Sequence, residues 1–61
     1  MSYSFEEINK RLNEGINRTP EELDKCKRWL IEFATANQLS MKQLDNFCFE
    51  DSAWIFEQIF G

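Results

Sequence analysis

Apolar residues recur every three or four positions along most of this chain, as they do on the buried side of an amphipathic helix. Phe5, Ile8 and Leu12 form one such stripe, a longer stripe runs through residues 23–34, and another begins at Leu44. No segment alternates apolar and polar residues as a half-buried strand does. The pattern therefore predicts an all-α protein.

The starts of three helices are marked by residues whose side chains accept hydrogen bonds from free backbone amides. These capping residues are Ser4, Thr19 and Ser40. Ser4 and Ser40 are each followed three residues later by Glu or Gln, which predicts a reciprocal capping box. Pro20 directly follows Thr19, and proline suits the first position of a helix because its missing N–H is not needed there.

We expect helices at about residues 5–14, 20–36, 41–49 and 52–60. Gly15 can end the first of them in a left-handed conformation. A break near residue 51 is favoured over one helix from 41 to 60, since Asp51 or Ser52 can cap a fourth helix. The prediction is a small three- or four-helix bundle in a single domain of 61 residues.

The net charge of −4 is carried by the second half of the chain. Residues 4–28 hold six acidic and six basic side chains, whereas residues 29–61 hold five acidic side chains and Lys42 alone. Such an acidic half repels nucleic-acid phosphates and anionic membranes. No apolar stretch approaches the ~20 residues that span a bilayer, and the N-terminus lacks the pattern of a signal peptide. We therefore expect a cytoplasmic protein that binds no membrane.

Few residues in the chain are suited to catalysis or to ligand chemistry. There is no histidine, and two glycines do not make a phosphate-binding loop. Cys26 and Cys48 lie far apart, without the spacing of a zinc site. They are expected to be buried, reduced thiols, with a disulfide between facing helices as the alternative. We therefore expect no enzyme activity, no metal and no cofactor.

The second half of the chain also contains an ordered series of apolar and turn residues. It comprises Leu30, Phe33, Ala34, the Asn37-Gln38 turn, Leu39-Ser40, Leu44 and Ile55. In this register residues 28–61 resemble the lambda-repressor-like DNA-binding domains, whose pattern includes a Leu-Ser helix start followed by a buried Leu. The resemblance implies a helix-turn-helix transcriptional regulator with its reading helix near residues 52–60. That segment has no Arg or Lys to contact phosphates, so DNA binding is kept only as an alternative.

Aromatic residues are concentrated near the end of the sequence. Five of the nine lie in the last fifteen residues: Phe47, Phe49, Trp54, Phe56 and Phe60. In a helix over 52–60, Trp54 lies on the opposite flank from Phe56 and Phe60, so one core cannot receive them all. A surplus of apolar surface favours contact with another protein. The alternative is that the first two helices cover these rings.

We therefore predict a partner-binding face in this segment. Its aromatic members are Phe49, Trp54, Phe56 and Phe60, and its acidic rim consists of Glu50, Asp51 and Glu57. Trp and Phe bury much area with few rotatable bonds, and the acids favour a basic partner surface. The expected function is that of a small non-enzymatic protein-binding module that acts as a regulator or inhibitor. The partner is another protein or a second copy of the chain, in which case the protein is a self-associating structural one.

Overall fold

Four helices account for most of residues 3–61, the part of the chain that the computed structural model describes. They are α1 (Phe5–Leu12), α2 (Pro20–Ala36), α3 (Met41–Glu50) and α4 (Ser52–Phe60). The prediction of a small all-α bundle is confirmed, and the chain breaks at Asp51 as the sequence favours. None of these helices is both long and apolar enough to cross a bilayer.

The predicted caps form at the first three helices. The Ser4, Thr19 and Ser40 hydroxyls accept hydrogen bonds from backbone amides three residues on, at 3.1 to 3.2 Å. The capping boxes at Thr19 and Ser40 are complete, because the side chain three residues on accepts the capping residue's own N–H. The reciprocal box predicted at Ser4 is wrong, because the Glu7 carboxylate accepts from the Ser4 hydroxyl at 3.5 Å and not from the Ser4 backbone N–H.

The first helix is shorter than the pattern predicts, since it ends at Leu12 and not at residue 14. Asn13 ends it: its backbone N–H and its side-chain Nδ2 both donate to the carbonyl oxygen of Asn9, at 3.1 and 2.9 Å. Asparagine side chains favour helix ends because they compete for backbone partners in this way. Gly15 does adopt a left-handed φ of +80°, but in the turn that follows the helix.

The core lies where the four helices meet. Its nine buried apolar residues are Ile8, Leu12, Cys26, Leu30, Ala34, Leu44, Cys48, Ile55 and Ile59. Five of them, Ile8, Cys26, Leu30, Leu44 and Ile55, are completely buried, and together they come from all four helices. Every helix is therefore required to close the core. The two cysteines are free thiols, so the disulfide alternative is wrong.

Ion pairs join the first three helices. Arg11 of α1 contacts Asp45 of α3 at 2.6 Å, and Lys27 of α2 contacts Glu6 of α1 at 2.9 Å. The hydrogen bond from Lys27 and its charge hold the pKa of Glu6 below the ordinary value. Within residues 3–61 no ion pair reaches α4, which is held by apolar and aromatic contacts instead.

Candidate functional site

Four aromatic rings from three helices meet at one place on the surface. They are Trp29 and Phe33 of α2, Phe47 of α3 and Trp54 of α4, and we call them the four-ring surface. Trp29 stacks on Phe33 with ring centroids 4.8 Å apart, and Phe33 stacks on Phe47 at 5.1 Å. Trp54 meets Phe47 edge-on at 5.8 Å and Trp29 edge-on at 6.1 Å. Each ring thus holds its neighbours in place.

Helix geometry explains why these side chains converge. Trp29 and Phe33 are four residues apart, so they lie on the same side of α2. Only Asp51 separates α3 from α4, and this short connection brings Trp54 in the first turn of α4 back to Phe47. Stacked and edge-to-face geometries are the favourable ones for aromatic pairs, about 0.5–1.5 kcal/mol each beyond area burial. The four rings therefore form a mutually packed platform.

The platform is exposed mainly at Trp54, and its other three rings are mostly buried. Trp54 is 46% exposed, and Trp29, Phe33 and Phe47 are each partly exposed beside the core. The ring centroids lie 4.8 to 6.1 Å apart, so the rings contact one another and leave no room for a ligand between them. Only the outer faces of the rings are therefore accessible for contact.

Each of the three helices that supplies these rings also carries an exposed glutamate three residues after an aromatic one. The pairs are Trp29 with Glu32, Phe47 with Glu50 and Trp54 with Glu57. Residues three apart are neighbours on a helix surface, so the glutamates border the rings. Within residues 3–61, none of the three takes part in an ion pair. We call Glu32, Glu50 and Glu57 the acidic border.

The nearby cations of α2 already have partners. Arg28 contacts Asp24 at 2.6 Å, and Lys25 lies 5.6 Å from the centroid of the Phe60 ring. Lys42 is the only basic residue after Arg28. The negative charge of the border is therefore least compensated at Glu50 and Glu57, whereas Glu32 lines the same groove as Lys25 and Arg28.

Phe56 and Phe60 belong to a different group on the other flank of α4. Their ring centroids are 6.4 Å apart, and the Arg18 guanidinium lies over both rings, 4.8 Å from Phe56 and 4.3 Å from Phe60. Both rings are partly buried against the core. These contacts attach α4 to the segment that precedes α2.

Arg18 is held in turn by a buried polar network that the sequence pattern did not reveal. Its Nε donates to Oδ1 of Asn13 at 3.1 Å, and Nδ2 of Asn13 donates to Oδ1 of Asn9 at 3.1 Å. Nδ2 of Asn9 donates to the carbonyl oxygen of Leu23 at 2.9 Å. Asn9 and Asn13 are only 7% and 5% exposed, and hydrogen bonding is what makes such burial of amides tolerable. The network joins α1, α2 and α4.

Phe49 stands apart from both groups. It is 89% exposed and lies beside Arg11, Asp45 and Ser52, in a groove between α1 and α3. Within residues 3–61 its ring contacts no other aromatic ring. On a helix, residues two apart diverge by about 200°, which places Phe49 on the opposite side of α3 from Phe47.

The predicted binding face is therefore not one continuous face. Trp54 lies in the four-ring surface with Glu50 and Glu57 at its border, whereas Phe56 and Phe60 pack under Arg18 and Phe49 projects alone. Asp51 is the exposed junction residue between α3 and α4. The contribution of Trp29, Phe33 and Phe47 was not predicted, although the four-residue spacing of Trp29 and Phe33 is visible in the sequence.

The described residues offer little reactive chemistry. Burial raises the pKa of the Cys48 thiol to about 11, with a smaller contribution from Asp45, and burial likewise raises the pKa of Cys26. Both thiols are thus protonated and poor nucleophiles near neutral pH. Among residues 3–61 no group of three or more His, Cys, Asp or Glu side chains is arranged to hold a metal ion.

The connections between helices bear on the helix-turn-helix alternative. That motif joins its two helices through a turn of about three or four residues; residues 37–40 separate α2 from α3, whereas Asp51 alone lies between α3 and α4, the implied reading helix. Helix α4 carries no Arg or Lys. No protein-family model, curated protein or solved structure matches this chain.

Proposed function

We propose that this protein is a non-enzymatic protein-binding module that regulates or inhibits a partner by docking the four-ring surface on it. One observation carries the proposal: Trp54 is 46% exposed and packs edge-on against Trp29 and Phe47, so it extends a cluster of three partly buried rings to the surface. Monomeric proteins rarely leave large contiguous apolar patches uncovered, and Trp is among the residues that contribute most to binding energy at interfaces.

The packing of the rings favours tight binding. An interface loses free energy when mobile side chains must be ordered, by about 0.5–1.5 kcal/mol for each flexible one. Here the rings already fix one another at centroid distances of 4.8 to 6.1 Å. Little further ordering is therefore needed when a partner arrives.

An interface of typical size would cover a large share of the surface of this small protein. A typical stable interface buries about 800 Å² on each partner. The described chain has a total accessible surface of 4501 Å². The four rings would form the apolar centre of such an interface, and the acidic border would form part of its polar rim.

The proposal is tested by capturing partners from lysate of the native cells with wild-type protein and with a Trp54→Asp variant. A matched control is Ile16→Asp, because Ile16 is similarly exposed, at 42%, but lies in the segment between α1 and α2. Far-UV circular dichroism first establishes that both variants are folded. We expect wild type and Ile16→Asp to retain the same protein and Trp54→Asp to lose it.

Equal retention by all three proteins would exclude the four-ring surface as the binding site. Sedimentation equilibrium provides the second measurement, since the same surface could meet a second copy. We expect a monomer at micromolar concentration, because two acidic borders brought together repel each other. A dimer that Trp54→Asp dissociates would make the protein self-associating and would contradict the proposal of a separate partner.

A further inference from the structure

We propose that the element recognised by the four-ring surface is a basic amphipathic helix of the partner protein. Its apolar side chains would lie on the rings, and its Lys or Arg side chains would pair with the acidic border. This inference rests on the proposed function and adds the chemical class of the partner. Three features of the surface support it: charge, dimensions and the arrangement of the glutamates.

Charge selects a basic partner. The acidic border is exposed, and within residues 3–61 none of its glutamates takes part in an ion pair. Arg28 is paired with Asp24, and Glu32 lines one groove with Lys25 and Arg28, so the charge most available to a partner is that of Glu50 and Glu57. Cations of a partner therefore meet unpaired carboxylates at the rim, and opposite charge steers such partners into contact. A partner Arg or Lys can also lie over the exposed face of Trp54.

The dimensions of the four-ring surface are compatible with a single helix of the partner. Successive centroid distances of 4.8 and 5.1 Å place the Trp29 and Phe47 rings at most about 10 Å apart. Positions i and i+7 of an α-helix, which carry the anchor residues of one apolar stripe, are also about 10 Å apart. The platform is therefore no longer than about two turns of one helix. It is too small to cover a broad, flat apolar surface.

The arrangement of the glutamates indicates where the basic residues of that helix must lie. Glu32, Glu50 and Glu57 belong to three different helices, and each follows one of the rings by three residues. A partner helix that lies across the rings would therefore meet carboxylates on more than one side of its own apolar stripe. Its cations should therefore flank the stripe, as they do in a basic amphipathic helix.

The test uses two synthetic helical peptides of about 18 residues as probes. Both carry leucine at i, i+3, i+4 and i+7, and their flanking positions are lysine in one peptide and glutamate in the other. Binding is followed by intrinsic fluorescence, because the only two tryptophans of the chain, Trp29 and Trp54, both lie in the four-ring surface. We expect saturable blue-shifted emission with the basic peptide and none with the acidic one.

Two charge-reversal variants distinguish the effect of the acidic border on binding from the effect of net charge. Glu57→Lys changes the acidic border, whereas Glu14→Lys makes the same change in net charge on an exposed residue after α1. We expect Glu57→Lys to weaken binding of the basic peptide by about tenfold and Glu14→Lys by less than about twofold. Both variants are checked for unchanged thermal unfolding before titration.

Several results would overturn the inference. Equal binding of the two peptides would show that charge plays no part, and equal effects of the two variants would show that only net charge matters. Absence of peptide binding, together with capture of a partner that depends on Trp54, would reject the basic helix and leave the proposed function standing. If no protein from the lysate is captured in a way that depends on Trp54, the proposed function itself is rejected.

Discussion

Replacement of Arg18 by Ala should destabilise this protein more than any other change of a charged residue. The Arg18 guanidinium lies 4.8 and 4.3 Å from the ring centroids of Phe56 and Phe60. Its Nε also donates to Oδ1 of Asn13 at 3.1 Å. One side chain therefore connects the segment before α2 to the buried amides of α1 and to the flank of α4.

The expected magnitude follows from these contacts. Each cation–π contact contributes about 0.5–1 kcal/mol at an exposed site and more where water is partly excluded. A hydrogen bond contributes about 1 kcal/mol, and a buried acceptor left without a good partner costs about 1–3 kcal/mol. Asn13 is only 5% exposed, and without Arg18 its Oδ1 keeps only the weak Cys26 thiol donor at 4.0 Å. Because these contributions overlap, we expect Arg18→Ala to lower the free energy of unfolding by about 2–3 kcal/mol.

The assay is urea unfolding at pH 7, followed by far-UV circular dichroism, on four proteins. These are wild type, Arg18→Ala, Arg18→Lys and the charge control Lys42→Ala. Arg18→Lys keeps a cation near the rings but lacks the planar donor group, so its free energy of unfolding should fall by about half as much as that of Arg18→Ala. Lys42→Ala should change the free energy of unfolding by less than about 0.5 kcal/mol. In a domain of this size the Arg18→Ala loss corresponds to a fall in Tm of about 10–20 °C.

Two outcomes would refute this reasoning. If Arg18→Ala is no less stable than Lys42→Ala, the contacts of Arg18 with the rings and with Asn13 contribute nothing. If Arg18→Lys is as unstable as Arg18→Ala, the hydrogen bond to Asn13 accounts for the whole effect. The cation–π contribution would then be absent.

Capping and thiol chemistry provide further predictions. Ser40→Ala removes a complete capping box and should lower the free energy of unfolding in urea by about 1 kcal/mol. Asp51→Ala should lower it by less than about 0.5 kcal/mol, because Asp51 makes no side-chain cap bond. Equal losses of stability in the two variants would contradict the assignment of the caps. The Cys48 pKa rises from 9.0 to about 11 on folding, so the stability it provides is complete below pH 9 and falls between pH 9 and 11. Alkylation of Cys48 at pH 8 should therefore be slow in the native state and rapid in urea, and fast native labelling would contradict its burial.

The helices could be predicted because their signals are local. Ser4, Thr19 and Ser40 bind amides only three residues away, so a short window of sequence contains both partners. The apolar stripes likewise identified buried positions such as Ile8 and Leu44. The end of α1 was misplaced by two residues because Asn13 bonds Arg18 and Asn9, and the sequence pattern did not reveal that buried network.

The candidate site was only partly predictable because it depends on how the helices cross. A helical wheel gives the direction of Trp54 about the axis of α4, but not which side chains of α2 and α3 it will meet. Trp54 was therefore correctly separated from Phe56 and Phe60 by angle, yet it was grouped with them as one face. The structure shows that Trp54 meets Trp29 and Phe47 instead.

The four-ring surface is discontinuous in sequence, and this has a practical consequence for finding the partner. Its rings come from α2, α3 and α4, so no short fragment of the chain contains the surface. Isolated helices of 8 to 10 residues, such as α1, α3 and α4, are too short to remain helical in water. Peptide arrays of this sequence and blots of the denatured protein should therefore detect nothing. Screens that display the whole folded chain, such as a two-hybrid or phage library, are the ones suited to this epitope.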